Sequence, residues 1–512
     1  MDSSIAIRKR AAAPHACLFL QRVRRGLLGS LGGVAACAAW AVQAQAPQEP
    51  QGQADAPQGP AAIQAPAPGQ LPAQAADLAP LAPFKPVESY FDVYSGIVFT
   101  DNATRGFDNP RSDEIVMLGT DLNVHRQGRE LQLDAMGDLD YAQFLQHTYG
   151  SRFFGNFDGT AQWGRATDWF QYFVRDTFGQ LNTDPLAPAT AATLENVNYL
   201  STGPTFNIPF SSLMRLSLYG SYSKVTYQQS DNFDSHSVLG GVSLTRRLSN
   251  VSTVALVSEY QNTQFADQVD YGHFDLERYF GRYALNALRT DINLEVGYQS
   301  LSDLGVSGRG LFLDAEIGRR ISPSSSVFIR GDDAYSTAGD LLRGEIGNGA
   351  PAVTGSAAGN VAAAPPFHER TYSAGWRFNR PRTSFSIEAF RVRDSYESRA
   401  NLDNATTSVA GTFLRRISPT VSLTGQARFD AVKFIGLGSY NQLMIQAGIT
   451  KTFARLSTSF QFERFDQTSG NAGAKYHEDR VEVRLSYGIG SARGGAGAPR
   501  VGAGGAMRAG PY

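Results

Sequence analysis

Between residues 88 and 489 the chain repeats one arrangement: apolar and polar side chains alternate over long runs, and short polar or glycine-containing breaks separate the runs. In Thr420 to Lys433, Val421, Leu423, Ala427 and Phe429 alternate with Ser422, Thr424, Gln426, Arg428 and Asp430. An extended chain places such alternate residues on opposite faces, so this is a two-faced strand. The same pattern runs through Arg455 to Asp466 and through Asp479 to Ile489, where Val481, Val483, Leu485 and Tyr487 oppose Glu482, Arg484 and Ser486. Near the start, Leu131, Leu133, Ala135, Gly137, Leu139 and Tyr141 oppose Gln132, Asp134, Met136, Asp138 and Asp140. These runs are roughly twice the length of an ordinary globular strand, and strands that long can cross a bilayer when tilted.

The pattern predicts about 20 strands, with 16–18 as the alternative, each paired with the next as in an up-and-down antiparallel barrel. Short turns such as Ser249-Asn250, Ser322-Pro323-Ser324 and Arg380-Pro381-Arg382 recur at every second connection. The intervening connections are mostly longer and rich in Gly, Asp and Asn, such as Leu181 to Asn196. A soluble sandwich has no reason to segregate short turns to one end, whereas outer-membrane barrels have short periplasmic turns and long outer loops. Closing the ribbon on itself removes the edges that long strands would otherwise expose. Tyr141, Tyr227, Tyr260, Tyr298 and Tyr487 are read as lying on or near the apolar faces, several of them where an interfacial girdle belongs.

Composition sharpens this picture. Of 512 residues only 18% are charged, 11% are aromatic and 52 are Gly. This is a balance for packed strands rather than for several solvated domains. Residues 87–490 show no compositional break, and outside the N-terminus no apolar run is long enough for a spanning helix. Residues 1–44 read as a signal peptide: Arg22, Arg24 and Arg25, then the apolar stretch Leu27 to Val42, then Val42-Gln43-Ala44 as the cleavage site. Two readings compete with it. Val34-Ala35-Ala36-Cys37 resembles a lipoprotein box that would lipidate Cys37, and Arg24-Arg25 before Leu27-Leu28 resembles a twin-arginine signal, a route unsuited to a membrane barrel. Both cysteines, Cys17 and Cys37, lie in this segment. Cleavage would remove six basic residues and one acid, leaving an acidic remainder with no basic patch for nucleic acid. Residues 45–86, rich in Ala, Pro and Gln, form a linker that cannot bury enough apolar surface to fold alone, and residues 491–512 form a Gly/Ala-rich tail.

The candidate chemistry lies on the polar faces. Asp134, Asp138, Asp140, Arg215, Glu259, Glu295, Asp314, Glu316, Arg330, Asp332, Glu388, Arg428, Asp430, Glu463, Glu482 and Arg484 mostly share the parity opposite to the apolar residues. A charge facing lipid near the midplane costs roughly 2 to 4 kcal/mol for Arg or Lys, so these side chains are expected to line a lumen. Acids outnumber arginines among them, which favours a cation-tolerant or neutral-solute channel, while cross-wall ion pairing that stiffens the barrel explains the same row. The longest loop, Ala338 to Phe367, is a candidate inward constriction, in which case deleting residues 346–364 would widen the pore. No Gly-x-Ser-x-Gly elbow, His-Glu-x-x-His motif or phosphate loop follows the signal segment. His147, His236, His273, His368 and His477 scatter to strand ends and suggest no catalytic or metal set. No cofactor is expected.

The run Ser95-Gly96-Ile97-Val98-Phe99-Thr100-Asp101-Asn102, followed by Ser112-Asp113-Glu114-Ile115 and the strand pair through Tyr141, resembles the opening of the β-barrel porin families of Gram-negative outer membranes. Some members of those families sit beside exopolysaccharide or protein-sorting systems. The resemblance implies an outer-membrane pore architecture without naming a solute. It also implies contact with outer-membrane lipid, and handling by periplasmic chaperones and the barrel-assembly machinery during biogenesis. One departure stands out: such barrels commonly end on an aromatic residue, whereas here Ser491 to Pro511 precedes Tyr512, so Val481 to Tyr487 is the nearer insertion signal. The functional expectation is a non-enzymatic channel for small solutes or saccharide. A structural component anchoring the Pro-rich arm in an envelope assembly is the alternative, and a barrel-embedded hydrolase dependent on His236 is a third.

Overall fold

The structure, a computed structural model, describes residues 89–489 apart from 166–167, 183–187, 268–271, 304–305, 338–365, 397–402, 436–437 and 470–474. The expected signal segment, linker and tail, and most of the Ala338 to Phe367 loop, lie outside the described residues. Twenty strands follow in chain order. The first ten are β1 (Tyr90–Thr100), β2 (Asp113–Gln127), β3 (Leu131–Phe144), β4 (Arg152–Trp163), β5 (Phe170–Asn182), β6 (Leu194–Pro209), β7 (Met214–Tyr227), β8 (Ser235–Arg247), β9 (Ser252–Phe265) and β10 (His273–Asn286). The second ten are β11 (Thr290–Asp303), β12 (Val306–Ser322), β13 (Ser325–Ser336), β14 (Phe367–Arg380), β15 (Thr383–Tyr396), β16 (Asn404–Ser418), β17 (Val421–Phe434), β18 (Gly438–Phe453), β19 (Leu456–Ser469) and β20 (Tyr476–Gly488). Each pairs antiparallel with its neighbour in sequence, and β1 also pairs with β20, from Asp92 opposite Gly488 to Thr100 opposite Arg480. The sheet is a closed 20-stranded up-and-down barrel with no free edge.

The connections at one end are all short. Residues 381–382, 419–420 and 454–455 are two-residue turns, and Ala454 takes φ 47°, the positive backbone angle that a tight hairpin of the right twist demands. Turn positions shift by a residue or two from the sequence reading: the first short turn is 128–130 rather than Arg126-Gln127-Gly128, and Phe453 belongs to β18. At the other end, 304–305 and 435–437 are as short as the turns, and the rest are longer.

Ladder register decides which residues share a face. Leu118, Leu139, Phe153, Leu256, Ile329, Val409 and Phe429 are exposed, each flanked along its strand by less exposed residues of the other face. The opposite, inner face carries buried charge: Asp121 pairs across to Asp138, Asp314 to Asp332, Glu316 to Arg330 and Asp430 to Gln442. This inverts a soluble barrel, whose greasy side chains fill the interior, and suits a barrel surrounded by hydrocarbon.

In two places the wall loses its ladder, and side chains replace it. Pairing between β4 and β5 stops at Phe157 opposite Phe178, and beyond it Gln180 accepts a hydrogen bond from the Gly155 N–H at 3.4 Å while donating to Asn196 at 2.6 Å. Pairing between β12 and β13 stops at Leu313 opposite Asp333. There Gln299, fully buried on β11, donates to the Leu311 carbonyl at 2.7 Å and accepts from the Tyr335 N–H at 3.0 Å. Backbone groups freed from a sheet need such partners wherever water cannot reach. Replacing the outward Ile329, 62% exposed, by Arg should therefore cost roughly 2 to 4 kcal/mol in urea-titrated folding into vesicles. The same variant should be near neutral if this surface meets water.

Candidate functional site: the lumen and its mouth

All sixteen charged residues singled out in the sequence occupy the inner parity. Around β20, β1, β2 and β3, Arg484 lies 2.7 Å from Glu482 and 3.8 Å from Asp121, with its guanidinium 4.1 Å from the Tyr94 ring centre. Asp140 and Asp138 face the same space, and Asp138 accepts from Asn156 at 3.3 Å. Further round, Arg282 meets Glu295 at 2.6 Å, Tyr219 donates to Glu259 at 2.6 Å and Arg330 meets Glu316 at 3.0 Å. Asp314, Asp332 and Glu388 sit on the same belt by register. Arg428 lies 2.8 Å from Asp430, which Ser408 also bonds. Arg480 lies 3.5 Å from Glu463, which accepts hydrogen bonds from Gln446 and Gln461. Asp134, by contrast, sits at the turn end, largely exposed and paired with His125. Arg215, near the start of β7, is likewise close to the turns.

Small residues make room for this belt. Gly241 lies beneath the Tyr219 ring, and a Cβ there would run into ring carbons; Gly119 stands in the same relation to Tyr94 and Asp140. Replacing Gly241 by Val should displace Tyr219 from Glu259 and cost about 1 to 3 kcal/mol. Loss of that hydrogen bond should appear in tyrosine ultraviolet-resonance Raman spectra.

The structure adds partners that the sequence reading passed over. Asp92 and Asp121 join the Arg484 group. Arg175 and Asp158 pair at 3.1 Å, with Thr177 donating to Asp158 at 2.9 Å. Glu369 and Asp394 are buried opposite one another on β14 and β15. Their alternation with outward residues was available as a signal. Arg105 gave none, because it belongs to the connection between β1 and β2.

Arg105, at φ 50° and 4% exposed, is the centre of the loop-end mouth. Its Nε meets Glu478 at 2.8 Å, its guanidinium lies 4.7 Å from the Phe465 ring centre and 5.4 Å from that of Tyr476, and its Nη1 donates to the Ala189 carbonyl at 2.7 Å. Ala189 belongs to the connection between β5 and β6. Residues 188–193 there form a compact turn held by Thr193, whose hydroxyl donates to the Pro188 carbonyl and accepts from the Thr190 N–H. Ala191 and Leu194 then pack against Val98, Ile115, Met117, Ala142, Phe144 and Phe154 on the inner faces of β1 to β4. Among the described residues the connection after β5 thus leans inward, as does Phe233 of the connection after β7. The loop proposed from the sequence, Ala338 to Phe367, lies almost wholly outside the described residues.

An aromatic collar runs round this end of the lumen. Tyr227, Phe274, Phe367, Tyr396, Phe434 and Tyr440 are all buried on the inner face above the charged belt, and the Phe367 and Tyr396 rings stand 5.1 Å apart. The sequence reading placed Tyr227 with the apolar outer tyrosines. Register corrects this, because it opposes Val197 on the inner face, where strand ends carry apolar residues to receive the loops. Tyr141, Tyr260, Tyr298 and Tyr487 do face outward.

Of the five histidines singled out in the sequence, four lie on the outer parity at strand ends, and His147 lies in the connection 145–151. His368 meets Asp333 at 2.5 Å, and His477 meets Asp466 at 2.6 Å and Asp479 at 3.3 Å. Asp101, His477 and Asp479 lie close enough together to hold an ion, though exposed acidic groups commonly cluster without one. Arg464 already ties Asp466 and Asp479 into a surface ion network, and burial holds the Asp101 carboxyl above its usual range.

Fold and faces together define a 20-stranded transmembrane-type β-barrel with a polar interior. No family model matches the chain, and no curated protein matches it. Among solved structures it is similar to the ferric enterobactin receptor PfeA of Pseudomonas aeruginosa, at 9% identity and TM-score 0.41 over 78% of this chain and 81% of that one. It is also similar to the ferric citrate transporter FecA, at 9% identity and TM-score 0.41 over 78% and 79% of the two chains. A third likeness is to the copper transporter OprC, at 9% identity and TM-score 0.40 over 78% and 80%.

Arg105→Ala should leave the buried Glu478 with only the more distant Arg480, at 3.8 Å, and the Thr100 hydroxyl, and should free the loop at Ala189. The expected cost is about 1 to 3 kcal/mol of folding stability, less than for a buried charge left wholly without a partner. Larger or more frequent single-channel openings than in the parent should accompany it in planar bilayers. Unchanged openings would show that the tether does not control the mouth.

Proposed function

We propose that the protein is a non-enzymatic outer-membrane channel through which small polar solutes or saccharide diffuse or are exported. The observation that carries this reading is the closed barrel's division of faces: exposed aliphatic and aromatic side chains outside, a belt of paired and unpaired charge inside. A barrel of this strand number encloses more volume than side chains fill. In this reading the charged belt is the conduction path, and its excess of acids around a few arginines sets a preference for cations or neutral solutes. Saccharide is favoured by the pairing of flat aromatic rings at the mouth with carboxylates, amides and guanidinium groups just below. Ring faces accept the apolar face of a sugar, and polar groups take its hydroxyls.

Biogenesis through periplasmic chaperones and the assembly machinery belongs to the same reading, as does export by residues 1–44. Purified protein in a planar bilayer should conduct, with a reversal potential under a salt gradient on the cation side, and Asp121→Asn with Asp140→Asn should shift it toward neutral. Clear anion preference would overturn the selectivity. Absence of any conductance, in the parent and in Arg105→Ala alike, would favour a structural anchor instead.

A further inference from the structure

The outer surface is not uniformly apolar near the loop end. On β14 and β15, Arg370 stands directly opposite Arg393, and both are exposed on the outward parity. The same hydrogen-bonding row continues through Ala405 on β16 to Lys433 on β17, and Arg391 lies two residues below Arg393, opposite Tyr372. Arg370 has one acid, Asp333, at 3.3 Å, which His368 shares. Arg391, Arg393 and Lys433 have no acidic partner among the described residues, and the described outward positions of β14 to β18 contain no Asp or Glu. Like charges placed opposite one another across a ladder destabilise it, so the row costs stability unless an anion covers it. Strand spacing puts Arg370 and Lys433 about 14 Å apart along the row.

What lies beneath identifies the anion. Toward the turn end the same strands present Tyr372, Val409 and Phe429, all about half exposed, with Ile329 on β13 beside them. A band of cations above an exposed apolar wall complements an amphiphile whose headgroup carries phosphates and whose tails are acyl chains. Elsewhere at this level the outward charges differ: β10 carries Asp275 and Glu277, and on β19 Arg464 is paired with Asp466. Lys224 on β7 and Arg309 on β12 also face outward without an acidic partner among the described residues, but each stands alone, whereas four cations gather on β14 to β17.

We infer that the outer face of β14 to β17 is a binding site for a phosphorylated, multiply acylated glycolipid of the outer leaflet, held by Arg370, Arg391, Arg393 and Lys433. The inference rests on the membrane placement proposed above but not on conductance. The test uses full-length protein in detergent, with native mass spectrometry against added diphosphorylated lipid A and against the same lipid without phosphates. The parent should retain one diphosphorylated lipid. Arg391→Gln with Arg393→Gln and Lys433→Gln should lower its occupancy about ten-fold, the loss of at least one charge-assisted hydrogen bond. Arg391→Lys with Arg393→Lys should retain most of it. Lys433→Glu alone, which leaves every arginine in place, should lower occupancy without loss of the heat-modifiable gel band that marks a folded barrel. Equal retention by parent and triple variant overturns the site, as does equal binding of the phosphate-free lipid. Displacement by millimolar inorganic phosphate would make it a free-anion site and overturn the lipid assignment. Normal conductance in the triple variant would show that the channel reading stands apart from this result.

Discussion

Every backbone donor and acceptor of a wall set in hydrocarbon has to find its partner within the protein, and this constraint shapes the whole molecule. It requires the first strand to meet the last, which β1 and β20 do over nine residue pairs from Asp92 to Thr100. It also explains the two repaired gaps. Where β4 leaves β5 and β12 leaves β13, buried glutamines, Gln180 and Gln299, take over the hydrogen bonds that the ladder no longer makes. Closure then leaves two surfaces with opposite solvents, and the alternation of side chains follows from that.

Inside, the arginines are paired while several acids face one another, as Asp121 faces Asp138 and Asp314 faces Asp332. Arg484, Arg330, Arg282 and Arg428 each sit against a carboxylate contributed by the same or a neighbouring strand. Acids exceed these cations, so the belt keeps a negative surplus that the guanidinium groups organise without cancelling. Above it, the aromatic collar and the inward-leaning turn at residues 188–193 exchange hydration for packing, with Arg105 joining the two through Glu478, Phe465 and the Ala189 carbonyl. Outside, the cations of β14, β15 and β17 gather near the loop end of the wall, Arg370 against Asp333 and the others without an acid among the described residues. The molecule thus presents different chemistry at each depth and on each face.

The strand ladder was legible because its period is two and its runs are long. Ser325–Ser336 was delimited from sequence at both ends, and most other strands agree to within a few residues. The inner charges from Asp138 to Arg484 were legible for the same reason, since parity alone separates Arg428 from Phe429. Near the loop end apolar character ceased to mark the outer face, although parity still held: Tyr227 shares the parity of Arg215 and Tyr219. It faces inward to receive Phe233, at a ring separation of 5.7 Å, a contact with a loop residue that residue type alone does not announce.

The sequence by itself determined the class of wall, its two faces and the end at which the turns are short. These are consequences of neighbouring residues, and local alternation carries them. Tertiary structure alone decided that the loop after β5 leans into the mouth, that Arg105 binds it, and that Arg370, Arg393 and Lys433 form one patch. Those relations join residues 84, 23 and 40 positions apart. Only the closed register of the barrel brings them together, and no periodicity within a strand encodes it.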